Sequence, residues 1–234
     1  MYGTFDITYQ GTTGSSIGVY AVKRPSIPAP QKRADKVTVP GRDGALYIED
    51  GAFEEIAFDV EFNFFSTDTQ LAGKFRQLKE WLLKDGNRRL IFSDDNSVFY
   101  KILRIEMKNA DRRAPQIYRQ QVRFIADPYL YLTSGLTEIN PGTIANNQWV
   151  SSHPIYTITG NGQKTITVNS KTFVANVTTK MTIDTERMIA LGNSGQNQSD
   201  LVTGNYEDLY LKPGSNTVSI NSGTLKITPN WRTL

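Results

Sequence analysis

Ile56-Ala57-Phe58-Asp59-Val60-Glu61-Phe62-Asn63-Phe64 is the stretch that decides the fold class. Its large apolar side chains alternate strictly with Ala57, Asp59, Glu61 and Asn63. Successive residues of a strand point to opposite faces, so a period of two describes a strand with one buried and one wet face.

Working outward, Phe99, Leu103, Ile105 and Met107 alternate with Tyr100, Ile102, Arg104 and Glu106, which assigns the two sets to opposite faces of a second strand. A third run carries Tyr118, Val122 and Phe124. Asp111-Arg112-Arg113-Ala114-Pro115 lies between these runs and reads as a charged, solvated loop joining an antiparallel pair. Leu71, Phe75, Leu78 and Leu82 fall at spacings of four, three and four, which predicts an amphipathic helix over 69–84. Thr67 and Gln70 have the spacing of a capping box, and Gly86 is the expected stop.

The second half has a different surface. Of 26 Lys/Arg and 23 Asp/Glu, residues 135–234 hold only 7 and 6, which leaves 19 and 17 in residues 1–134. Thr, Ser, Asn and Gly replace the charge, a composition suited to antiparallel strands joined by tight turns. A boundary at Thr133-Ser134-Gly135 therefore divides the chain into domains 1–134 and 135–234. Short strands are expected around 154–159, 163–168, 171–178, 180–184, 187–191, 206–211, 216–220 and 224–228, with Asn161-Gly162 and Asn221-Ser222-Gly223 as turns. Many short strands without a helical pattern indicate an antiparallel β-sandwich.

Composition narrows the function classes. With 234 residues, 38% hydrophobic and 21% charged, the chain is long enough for a real core and has the composition of a folded protein. The absence of cysteine excludes disulfides, zinc-thiolate sites and thiol nucleophiles. No basic cluster precedes an apolar run at the N-terminus and no run of about 18 apolar residues occurs, so neither a standard secretion signal nor membrane insertion is expected. The +3 net charge comes from interspersed residues, a solvated surface and not a track for nucleic acid.

The candidates for chemistry are few. His153, the single histidine, would have to anchor any Ser-His-Asp triad, yet it precedes Pro154 at the start of a strand and fits a structural or surface role better. Asp94-Asp95-Asn96 lacks the glycine and glutamate spacing of a calcium loop and suits a hairpin turn. Glu54-Glu55 and Glu49-Asp50 are sequence neighbours, whereas hydrolytic carboxylates face each other across a pocket. Gly41-Arg42-Asp43-Gly44 lacks the spacing that wraps phosphate before a helix. Arg88-Arg89 and Arg112-Arg113 are too few to follow a nucleic-acid backbone, even with Tyr100 and Tyr118 near. Trp149 and Trp231 could offer flat faces to sugar rings, although large aromatics in a sandwich also serve as core or interface. No catalytic, metal or cofactor residue stands out, so a protein without enzyme activity or cofactor is expected.

Several segments share an order with a known family. Lys36-Val37-Thr38-Val39-Pro40-Gly41-Arg42-Asp43-Gly44-Ala45-Leu46 resembles the V-x-x-P/G-R-D-G-x-L turn that joins two early strands in the siphophage distal tail proteins. The strand ending Phe62-Asn63-Phe64, the helix ending Lys79-Glu80-Trp81-Leu82, and Arg89-Leu90-Ile91-Phe92-Ser93-Asp94-Asp95 follow in the same order. Phe124-Ile125-Ala126-Asp127-Pro128-Tyr129 is similar to that family's F-x-x-x-D-P-Y, and Leu211-Lys212-Pro213-Gly214-Ser215-Asn216 to its L-x-P-G-x-N.

The resemblance implies a mainly β fold: an N-terminal split-barrel-like β domain with one α-helix, then a C-terminal galectin-like antiparallel β-sandwich. It implies a ring, usually a hexamer, at the distal end of the phage tail, a virion component made in the host cytoplasm. The N-terminal domains would close around a channel, and the partners would be the chain itself, the tail tube protein, and tip, fibre or receptor-binding proteins. The chain matches the short form of the family, without room for an inserted carbohydrate-binding module.

Within that frame Pro40, Gly41, Arg42, Asp43 and Gly44 form a candidate assembly turn. The glycines can supply positive φ, Pro40 fixes the approach, and Arg42 and Asp43 stand at the tip, facing either a neighbouring chain or solvent. Two rival functions remain at this stage. One is a carbohydrate-binding module for host-surface adhesion that uses Trp149 or Trp231. The other is a tail-associated hydrolase, which needs an acid/base pair in a cleft.

Overall fold

In Ile56–Phe65 the apolar positions are buried and the alternate ones are not, up to the exposed final Phe65. The computed structural model that shows this describes residues 5–67, 70–114 and 116–234. The chain divides into two units, one running to Leu130 and including Leu234, the other spanning Tyr131–Thr233.

The first unit is built from β1 (Ile7–Tyr9), β2 (Thr12–Thr13), β3 (Val19–Ala21), β4 (Lys32–Val37), β5 (Leu46–Phe53), β6 (Ile56–Phe65), α1 (Leu71–Leu83), β7 (Arg89–Phe92), β8 (Asp95–Ala114) and β9 (Ile117–Leu132). Hydrogen bonding in the order β2-β1-β7-β8-β9-β6-β3 makes a curled, half-barrel sheet. Register places Phe58 opposite Phe124, Val60 opposite Val122 and Phe64 opposite Tyr118. The first and last of these pairs stack at 5.8 Å between centroids, and each such pair adds about 0.5–1.5 kcal/mol beyond its buried area. Gln120 is the polar exception opposite Phe62; buried, it gives its amide hydrogens to the Lys108 and Gln121 carbonyls.

Helix α1 buries Leu78, Trp81 and Leu82, with Leu71 and Phe75 packed against the same core, as the four-three-four spacing requires. Trp81 ties the helix to the first hairpin: its Nε1–H is shared between the Tyr9 and Thr12 carbonyls, 3.2 Å from each. The expected ends differ in detail. The N-cap is Gln70, without a side-chain cap bond, and the Gln70 and Leu71 amides donate to the Thr67 carbonyl, so backbone geometry sets the start. Residue 69 lies outside the described residues. The stop is an extended Lys84, not Gly86. Gly86 instead lies against the Gln10 side chain: a Cβ there would sit 1.9 Å from Gln10 Oε1, so that flexible side chain would have to move.

Strand β8 corrects two expectations. It runs through Ala114 instead of ending in a loop at Asp111, while Pro115 and the side chains of Arg112 and Arg113 lie outside the described residues. Tyr100 and Ile102 were placed opposite the Phe99 face, yet they belong to the core, which Ile105 and Met107 then join. The inward set changes parity between 102 and 105, and apolar residues on both sets hide that change from a count of alternation.

The second unit contains β10 (Gly142–Asn146), β11 (Ile155–Thr159), β12 (Gly162–Val168), β13 (Lys171–Val177), β14 (Lys180–Asp184), β15 (Ile189–Gly192), β16 (Val202–Thr203), β17 (Gly214–Ile220), β18 (Thr224–Thr228) and β19 (Arg232–Thr233). Antiparallel sheets β10-β17-β12-β13-β16 and β15-β14-β11-β18 share one core, in which Ile166, Phe173 and Val218 of the first sheet meet Tyr156, Ile183 and Ile227 of the second. This is the expected sandwich. The strand expected at 206–211 is instead a 3-10 turn, Tyr206–Leu209, which buries Leu209. Apolar residues at 206, 209 and 211 suit either element, and Asn205 supplies a turn-forming start. The Tyr156 hydroxyl donates to the Leu209 carbonyl at 2.7 Å, and burial pushes that phenol's pKa up.

Asn216 explains the Leu211–Asn216 segment. Its buried side chain accepts from the Lys212 amide at 3.0 Å and donates to the Lys212 and Gly214 carbonyls at 2.7 and 3.1 Å. Asn169 Nδ2 donates to the same Asn216 Oδ1 at 2.8 Å, and Gly214 adopts φ +91°.

Candidate assembly surface

Among the described residues β4 and β5 pair only with each other, as a two-stranded ribbon separate from the main sheet. Register pairs Ala34 with Glu49, Asp35 with Ile48, Lys36 with Tyr47 and Val37 with Leu46. Directly paired side chains share a face. One face therefore carries Asp35, Val37, Leu46 and Ile48, the other Ala34, Lys36, Tyr47 and Glu49. The apolar members are exposed: Val37 39%, Leu46 39%, Ile48 54% and Tyr47 62%.

The base of the ribbon is held by charge. Lys32 Nζ lies 2.8 Å from Glu49, and Arg33 pairs with Asp50. Between these pairs and Ala34 the register shifts, and Gly51 takes φ +82° to accommodate the bulge. The Ala52 amide donates to Asp50 Oδ1 at 3.0 Å; this bond first, and the Arg33 hydrogen bond second, hold the Asp50 carboxyl below the usual carboxylate range.

At the far end Gly41 and Gly44 both adopt φ +78°, the conformation expected of the turn. A Cβ at either would meet nothing within 4 Å, so backbone conformation and not crowding selects glycine. The Arg42 amide closes on the Val39 carbonyl at 3.2 Å. Pro40, Arg42 and Asp43 are exposed, and no side-chain partner for Arg42 or Asp43 occurs among the described residues.

The other candidates have structural occupations. His153 stacks on Tyr210 with centroids 4.0 Å apart and takes Arg232 Nη2 at 2.8 Å on its Nε2. Ser93 and Asp94 form the β7–β8 turn; Asp94 pairs with Arg24, and Asp95 accepts from the Ser97 hydroxyl and amide, which lower its pKa. The Arg88 guanidinium donates to the Leu103 carbonyl, and Arg89 lies over the Phe99 ring. Trp149 is 64% exposed on a loop fixed by buried Asn146, which donates to the Val150 and Leu211 carbonyls. Trp231 is no open platform: it packs partly buried against the sandwich core, so close to Gly135 that a Cβ there would lie 2.3 Å from its amide nitrogen. No cluster of three metal-ligating side chains occurs among the described residues, and no described helix is long and apolar enough to cross a membrane. A cleft of about 520 Å³ between Pro25–Pro30 and Ile56, Tyr100, Pro128, Leu130 and Leu234 has no Asp, Glu or His side chain in its lining.

Residues 13–125, which include the ribbon, its turn and α1, match the family model described as a phage tail protein RIFT-related domain. This part of the chain is thus similar to a phage tail domain. A comparison with curated protein sequences gives no match. Among solved structures the chain is similar to phage SPP1 Dit (gp 19.1), described as a paradigm of the hub adsorption apparatus in phages that infect Gram-positive bacteria. Identity is 17%, the TM-score 0.61, and the alignment covers 95% of this chain and 97% of the other. The expected likeness to siphophage distal tail proteins is borne out by the domain match and the fold together. Sequence reasoning located the turn but missed the exposure of Tyr47 and Ile48, and that of Tyr20, Val22 and Phe65 on the main sheet.

Proposed function

We propose that the protein is the structural hub of a bacteriophage tail tip, forming a ring, in the family usually a hexamer, that joins the tail tube to tip and receptor-binding proteins at the distal end of the virion. The observation that carries this reading is the match of residues 13–125 to a phage tail domain, within a chain that shares its fold, nearly end to end, with a tail hub protein. The exposed ribbon agrees with it: an isolated two-stranded hairpin is at best marginally stable in water, and exposed apolar faces favour partners. His153 is occupied in ring stacking, Asp94 in an ion pair and Asp95 in hydrogen bonds to Ser97, which suits a role through contacts and not through covalent chemistry. Electron microscopy of the purified chain tests the proposal: closed rings with a central channel are expected, and monomers at every concentration would contradict it.

The carbohydrate-binding reading has one observation in its favour, the exposed indole of Trp149. Titration with host cell-wall saccharides while following tryptophan fluorescence separates the two. The hub reading expects no saturable change, and saturable quenching that Trp149→Ala abolishes would establish the sugar site.

A further inference from the structure

Among the described residues, exposed large hydrophobic side chains of the first unit fall into two groups, with Leu83 apart. Val37, Val39, Leu46, Tyr47 and Ile48 belong to the ribbon and its turn. Tyr20, Val22 and Phe65 lie at the β3 edge of the main sheet. Register explains why the second group is one patch. Tyr20 pairs with Asn63, so both project from the outer face, and Phe65 lies two residues further along the same face of β6. Val22 prolongs the edge through its amide bond to the Glu61 carbonyl at 2.9 Å. Among the described strands β3 ends the order, so its outer side is a sheet edge that no described strand pairs.

We infer that the apolar face of the ribbon in one copy of this chain packs against Tyr20, Val22 and Phe65 of a second copy. This inference rests on the hub reading and names the contact that would close the ring. Both patches are exposed in the single chain, so neither covers the other within it. A chain with two different complementary patches makes head-to-tail contacts, and such contacts close into rings when the rotation allows. Charge points the same way. Asp35 projects from the ribbon's apolar face, Lys23 follows Val22, and neither has an ion-pair partner among the described residues. Seating the ribbon on the β3 edge brings this acid and this base to the same interface. The opposite ribbon face, with Lys36 and Glu49 beside Tyr47, remains for solvent.

The natural chain has no cysteine, so paired cysteines report the contact cleanly. Disulfides form only between Cα atoms within about 7 Å. The full chain carrying Val37→Cys and Tyr20→Cys, oxidised mildly, should give a ladder of covalent multimers on denaturing gels. Lys36→Cys with Tyr20→Cys, which moves the ribbon thiol to the other face, should give several-fold less. Ile48→Asp should raise the concentration needed for assembly at least ten-fold while leaving the melting of the protomer unchanged. Native mass is measured on the same samples. Assemblies whose Val37/Tyr20 pair cross-links no better than the Lys36 control would overturn the inference and leave the hub reading standing. Monomers at all concentrations with no ladder would overturn both.

Discussion

Replacing Asn216 by Ala removes four hydrogen bonds at a buried position. A net contribution of about 0.5–1.5 kcal/mol per bond gives an upper range of roughly 2–6 kcal/mol. The partners decide where in that range the effect falls. Lys212 and Gly214 are exposed, so water replaces much of what their backbone groups lose. Asn169 Nδ2 loses its acceptor, while its Oδ1 still takes the Thr217 amide at 2.9 Å. The expected loss is therefore about 2–3 kcal/mol, or roughly 10 °C or more in the melting of a unit of about a hundred residues. Asn216→Asp should be no better, because a carboxylate cannot donate to the Lys212 and Gly214 carbonyls and brings negative charge beside them. Asn169→Ala removes only two bonds and should cost about 1 kcal/mol. Urea unfolding followed by tryptophan fluorescence measures all three, since Trp149 and Trp231 both lie in the second unit. A loss below about 0.5 kcal/mol for Asn216→Ala would refute the reasoning that this side chain fixes the Leu211–Gly214 turn.

Arg42→Ala should leave protomer melting unchanged and weaken ring formation or docking to the tail tube at limiting concentration; normal assembly there would sink the idea that the turn is an assembly device. The Asp50 carboxyl should titrate below the ordinary aspartate range of about 3.9, followed through the Ala52 amide shift in NMR. Because its folded-state pKa is depressed, what this cap contributes is present above the unfolded pKa and lost as pH falls through the folded one. In Arg33→Ala the depression should shrink but persist, because the Ala52 amide is its larger cause; complete return to the ordinary value would contradict that order. Trp81→Phe strands the Tyr9 and Thr12 carbonyls and should cost about 2–3 kcal/mol in urea unfolding. A neutral result would mean that the indole does not anchor α1 to the first hairpin.

What was legible in the sequence was periodicity backed by chemistry. β6 and α1 each place apolar residues on one face and polar residues on the other, so their spacing identifies both element and orientation. The turn at Gly41 and Gly44 was legible because positive φ selects glycine almost regardless of context. β8 was misread in phase because Phe99, Tyr100, Ile102 and Leu103 are all apolar, leaving alternation without contrast. Tyr206–Leu209 was misread because its apolar spacing serves a strand edge and a tight turn alike. The ribbon shows a deeper limit: Val37 with Val39, and Leu46 with Ile48, alternate as buried strands do. Only the structure shows that these side chains are exposed and that, among the described strands, β4 and β5 pair only with each other. Where two patches of one chain are complementary only between copies, no local pattern distinguishes interface from core.

The central claim is a closed assembly of this chain, and the direct test is native mass by sedimentation across a wide range of protein concentration. One dominant species is expected at a fixed small multiple of the protomer, a hexamer in the family's usual arrangement, that dissociates to protomers on dilution without stable sizes beyond the ring. A monomer at the highest concentration, or an open series of sizes growing with concentration, would contradict it.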